Sequence, residues 1–186
     1  MKKAVCHLES RSPYSQGRYH QTEKKNKESH EDYEQRTWRE KCHYEKNGEI
    51  YIPPMQFCNS LKEASKYLNI QIPGKGKSTY TKNFESGIMV TDKIFLNVTV
   101  NKVESETFFV PSDGRRGGST RVLKTFPLIR EWKAVVTYFI LDDIITEDVF
   151  KKVLETSGQL IGIGRFRPRN WGYYGMFKIN KIEWFE

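Results

Sequence analysis

Between Leu8 and Ile50 the chain has no valine, isoleucine, leucine, methionine or phenylalanine. Only Tyr14, Tyr19, Tyr33, Trp38, Cys42 and Tyr44 can bury much apolar area there. This gap excludes a conventional amphipathic element over much of the interval, and residues 10–29 read as a flexible or partly disordered loop. Cysteine is also scarce. Cys6, Cys42 and Cys58 are odd in number and unpatterned, which excludes a disulfide framework and fits a reduced, cytoplasmic chain. Cys6-His7 and Cys42-His43 are adjacent pairs, and the CxxC and HxxxH spacings that chelate zinc are missing. On a strand each pair turns only one side chain inward, so no metal site is expected. No apolar run approaches the length of a membrane span, and the start, MKKAVCHLES, lacks the apolar core of a signal peptide. Neither membrane insertion nor secretion is expected.

Motifs for cofactors and nucleophiles are absent too. GKGKST (74–79) ends in Lys-Ser-Thr but lacks the first glycine of a Walker A loop. No GxSxG is present. GIGRFRPRNWGYYG (162–175) contains GxG, but it follows a helical pattern and precedes a strand. A dinucleotide fingerprint needs the reverse order, so that a helix N-terminus meets the phosphate. No cofactor is expected.

The 186 residues suit a single domain spanning 1–186. Lysine and arginine number 31 against 23 aspartate and glutamate, a net charge of +8. That balance favours an anionic partner, nucleic acid before acidic membrane.

The remaining pattern is a mixture of strands and helices. KKAVCHLE (2–9) reads as a first strand. TWREKCHYEKNGEIYIP reads as a hairpin turning at Asn47-Gly48, a type I′ signal. A helix is predicted from Pro54, with Phe57, Leu61, Ala64 and Leu68 on one face, stopping before Pro73-Gly74. A short helix fits residues 79–86, and IFLNVTV, ETFFV and RVLKTF read as strands. EWKAVVTYFIL (131–141) is a strand with apolar residues on both faces. Thr146 then offers an N-cap, Ile145 and Phe150 a hydrophobic staple, and Gly158 a C′ cap. MFKINKIEWF is the last strand. A β-α-β unit near each end, with hairpins between, predicts an α+β fold: a ferredoxin-like split βαβ sheet with inserted hairpins and long basic loops.

Four basic segments fall in loops: SQGRYH, KGKSTYTK, DGRRGGSTR and RFRPR. Their candidate phosphate contacts are Arg18, Lys75, Lys77, Arg115, Arg116, Arg121, Arg165, Arg167 and Arg169. Aromatic residues are interleaved with them. Trp171 and Tyr173 are the candidates for stacking on unpaired bases, whereas Phe166 and Tyr174 have core packing as the competing role. Gly162 and Gly164 are expected to shape the exit from the helix, and Gly172 and Gly175 the entry to the last strand.

The strand–helix–(glycine-rich loop)–strand ending, carried by the last βαβ unit and residues 162–175, resembles the RAMP superfamily. IPPMQFCNSLKEA (52–64) is similar to the strand-to-helix passage of that group. These are the ferredoxin-like subunits that form the RNA-binding backbone of CRISPR effector complexes. The resemblance implies binding of single-stranded RNA or DNA along a sheet face and basic loops. SPYSQGR, EDYEQRTWR, YIPPMQF and GIGRFRPRNWGYYGMF together also resemble a family of small bacteriophage and prophage proteins, for which no activity is implied. The expectation is therefore non-enzymatic binding of single-stranded nucleic acid by a phage-type protein in the host cytoplasm. Two alternatives stand beside it: a metal-independent endoribonuclease with His20 or His30 as general base, and a protein that docks on a host complex or on further copies of itself.

Overall fold

Alternation along Lys2–Ser10 decides the first strand, β1: Ala4, Cys6 and Leu8 are buried, and His7 points to the other face. In the computed structural model, which describes residues 1–112 and 120–186, β1 lies inside a four-stranded antiparallel sheet. The remaining elements follow in chain order. β2 is Tyr14–Ser15, α1 is His30–Thr37 and a 3₁₀ turn covers Trp38–Lys41. β3 is Glu49–Ile52, α2 is Pro54–Leu68 and α3 is Thr81–Ser86. β4 is Ile88–Met89, β5 is Ile94–Thr99, β6 is Glu104–Pro111 and β7 is Arg121–Ile129. β8 is Lys133–Ile140, α4 is Glu147–Thr156 and β9 is Phe177–Phe185.

The main sheet has the order β4-β8-β1-β9. β1 is antiparallel to β8 from Lys2↔Ile140 to Glu9↔Lys133, and antiparallel to β9 with a bulge between His7 and Leu8. β1 and β4 are therefore parallel strands split by β8, and β8 and β9 are parallel strands split by β1. With α2 and α4 in the two crossovers, this is the ferredoxin-like double split βαβ arrangement. The inserted elements form a β2-β7-β6 sheet and a β3-β5 pair.

α2 buries Phe57, Leu61 and Ala64 on one face and ends where Asn69 turns left-handed, at φ 49°. α4 starts as its sequence indicates. The Thr146 side chain accepts from the Val149 N–H, and Ile145 and Phe150 are both fully buried. Its end differs from the expectation. Gly158 does not cap it; a π-helical turn, Ser157–Ile161, carries the chain onward, with the Gly162 N–H donating to the Ser157 carbonyl at 2.8 Å. The left-handed position is Gly162, at φ 72°. Gly158 is needed for space, because a Cβ there would run into the backbone and ring of Phe177.

Two other expectations are corrected. The arm of the hairpin before Asn47 is not a strand: Trp38–Lys41 is helical, and only Tyr44 bridges back to Ile50. Gly48 has positive φ, 82°, but Asn47 does not, so this is a turn over Glu45–Gly48 with Gly48 left-handed, not type I′. The sequence from Ser12 to Gln16 is not a solvated loop. Tyr14 is fully buried, edge-on to Trp132, and its hydroxyl donates to Gln56 Oε1 at 2.9 Å. These partners lie far along the chain, so local composition does not reveal them. Tyr14→Phe is expected to destabilise the fold by about 1 kcal/mol, read as a lower denaturation midpoint at unchanged slope.

One edge of β7 is covered by side chains. Thr125 pairs across to Thr107 on β6, and both of its backbone groups go to side chains. Its N–H donates to Glu34 Oε2 at 3.0 Å, and its carbonyl accepts from Lys41 Nζ at 2.8 Å. Glu34 and Lys41 are ion-paired and buried. Two residues on, Pro127 has no N–H to satisfy, and its carbonyl accepts from Ser15 Oγ at 2.8 Å. Among the described residues no helix is long and apolar enough to cross a membrane.

Candidate nucleic-acid interface

The glycine-rich loop lies across the anchored N-terminal segment. The Arg165 N–H donates to the Ser15 carbonyl at 2.9 Å and the Gly175 N–H to the Pro13 carbonyl at 2.7 Å. Gly162, Gly164 and Gly175 have positive φ. Gly172 does not, but a Cβ there would overlap the Phe166 backbone. Phe166 and Trp171 also take positive φ, 49° and 66°, a conformation that costs an L residue about 1–2 kcal/mol. Packing holds Phe166 there: its ring meets Phe108 at 4.9 Å and Tyr174 at 6.2 Å between centroids. Tyr174 is buried and hydrogen-bonds Glu106. Two of the loop's four rings thus serve the core, while Trp171 and Tyr173 are 83% and 61% exposed.

Two clefts flank the loop and share Gly17, Gly164, Arg165 and Asn170. The larger, about 1050 Å³, lies between the loop, residues 17–20, α1 and β7. Arg18, Lys41, Lys124, Arg165 and Arg169 line it against one carboxylate, Glu34. Its rings are Tyr19, Tyr33, Phe126, Phe166 and Trp171. The smaller, about 600 Å³, lies against the outer face of α2 and is lined by amides.

Arg165 forms the ridge between them. Its guanidinium carbon sits 3.5 Å from the Phe126 ring centroid and 5.0 Å from that of Phe166. Its Nε is buried with no hydrogen-bond partner among the described residues. Burial pulls its pKa down to about 10, opposed by the charge of Glu34, so the group stays cationic at neutral pH. Lys41 is likewise lowered by burial and raised back by Glu34.

The other sequence candidates divide clearly. Arg18, Arg167, Arg169 and Trp171 line a cleft. Arg167 is held by Glu63 at 2.8 Å with its side chain 18% exposed, and Arg169 approaches the same carboxylate at 3.5 Å. Lys75 and Lys77 are exposed on the loop after α2 and line neither cleft. Arg121 and Tyr173 line neither cleft. Arg115 and Arg116 lie outside the described residues. Sequence reasoning missed Tyr19, Lys124 and the amides; Tyr19 was legible as part of SQGRYH, whereas Lys124 was hidden inside a strand pattern. His20 lines the larger cleft, stacked on Tyr33 with Nδ1 3.4 Å from Glu40; His30 is exposed at the start of α1.

The cysteines belong to the core. Cys6 and Cys42 are buried, and burial pushes both thiols up to about 12. Among the described residues no cluster of three or more histidine, cysteine or carboxylate side chains forms a candidate metal centre.

No family model matches the chain, and no curated protein matches it. Solved structures do. A chain of the cryo-electron-microscopy structure of type III-B Cmr-β bound to cognate target RNA aligns with a TM-score of 0.58 at 12% identity. That alignment covers 100% of this chain and 61% of the other. Cmr6 from Pyrococcus furiosus aligns with a TM-score of 0.51 at 12% identity, over 96% of this chain and 99% of the other. At such identity the likeness is one of fold, and the fold is the RAMP-like, ferredoxin-type architecture expected from the last βαβ unit.

Proposed function

We propose that this chain binds single-stranded nucleic acid in the clefts beside the glycine-rich loop, without modifying it. One observation carries the reading: Arg165, cationic and with an unpartnered Nε, forms the ridge where a ring-lined basic cleft meets a polar one. A backbone phosphate takes the guanidinium, and bases stack on exposed rings such as Tyr19 and Trp171. Arg18, Lys124 and Arg169 add sequence-independent attraction. RNA is the first ligand to test, because the Cmr-β complex of similar fold was solved on its target RNA.

The test is fluorescence anisotropy with a labelled, unstructured RNA strand at about 50–200 mM salt. The logarithm of affinity is expected to fall linearly with the logarithm of salt, by about 0.7 per phosphate neutralised. A strand that does not bind at the lowest salt overturns the proposal.

The position of His20 against Glu40 in the larger cleft favours a second reading, metal-independent RNA cleavage. Strand recovered intact after long incubation without divalent metal removes it. Scission that His20→Ala abolishes establishes it.

A further inference from the structure

The smaller cleft has a different chemistry from its neighbour. Side-chain amides line it in place of rings: Gln16, Gln56, Asn59 and Asn170. Gln16 is engaged at both ends. Its Oε1 accepts from the His43 N–H at 2.8 Å, and its Nε2 donates to the Tyr51 carbonyl at 3.4 Å. Gln56 accepts from the buried Tyr14 hydroxyl, which fixes its amide and leaves Nε2 as a donor. Asn59 and Asn170 make no side-chain hydrogen bond among the described residues, and both are exposed at the rim.

This matters for what the cleft recognises. A ring face accepts every base alike. A carboxamide carries a donor and an acceptor in one plane, so it matches some base edges and mismatches others. The volume, about 600 Å³, has room for one base with its sugar. The two clefts meet only along the Gly17, Gly164, Arg165 and Asn170 ridge. A phosphate seated on Arg165 therefore has one neighbouring base on the ring side and one on the amide side.

We infer that the amide-lined cleft takes one unpaired base, splayed from its neighbour, and reads its edge through Asn59 and Asn170. This rests on the nucleic-acid reading above and adds base preference to it. The side chains of Asn59 and Asn170 hold no other part of the protein, so their replacement leaves the fold intact.

The experiment compares oligo(A), oligo(C) and oligo(U) of equal length on the wild-type chain and on Asn59→Ala/Asn170→Ala, with circular dichroism melting as the folding control. The wild type is expected to separate its best and worst strand by about tenfold or more. The variant is expected to bring all strands to within about threefold of one another, close to the weakest wild-type value. Equal wild-type affinity for all three strands overturns the inference while leaving the binding reading intact. So does a preference that the variant keeps. Failure of every strand to bind overturns both together.

Discussion

Glu34→Ala is expected to lower the free energy of unfolding by about 3–5 kcal/mol, measured by denaturant titration. The substitution leaves Lys41 buried without its carboxylate. It also strips the Thr125 N–H of its acceptor, at a site where water is excluded. A double variant, Glu34→Leu/Lys41→Met, separates this arrangement from a simple buried ion pair. Apolar replacement of an ordinary buried pair is often neutral or stabilising. Here the same side chains also satisfy both backbone groups of Thr125, so the double variant is expected to stay destabilised by about 2 kcal/mol or more. Full recovery in the double variant contradicts that account.

Arg165→Ala is expected to weaken binding of single-stranded RNA by about 10- to 100-fold, the effect of losing a charge-assisted contact to phosphate. The melting temperature is expected to change little, because no hydrogen bond from the guanidinium to the described residues is lost. Arg165→Lys keeps the charge but not the planar fork lying on Phe126, and is expected to recover only part of the loss. Arg167→Ala supplies the contrast. Arg167 is already neutralised by Glu63, so its removal is expected to cost binding about threefold at most. Equal losses at Arg165 and Arg167 contradict the assignment of the ridge, since they reduce the effect to net charge.

The parts of the fold legible in the sequence are those whose causes are local. The β8–α4–β9 unit announces itself by the Thr146 cap, the Ile145/Phe150 staple and the alternation before them. α2 does so by its 3.6-residue apolar face. Residues 12–16 were illegible because what buries Tyr14 is Trp132, Gln56 and the distant glycine-rich loop. The interface divides in the same way. Arginines and glycines of the loop stand out by composition. Which arginine keeps its charge available depends on Glu63 and Phe126, both remote in sequence. The amide cleft had no signal at all, because isolated asparagines and glutamines on a helix face and in a loop are unremarkable until folding gathers them.

The π-helical turn at Ser157–Ile161 separates two properties that a plain helix ties together. The residues before it lock α4 onto the sheet through Phe150, Val153 and Leu154. The residue after it, Gly162, sets the direction in which the loop leaves. A π turn holds one residue more than an α turn, so it acts as a phase shifter. Removing one residue there lets the helix wind on regularly and rotates the departure point by about 100°, with the packing of Phe150 untouched. Loop aim is thus adjustable by a single insertion or deletion. Homologous chains could diverge in what their loops face while sharing one scaffold.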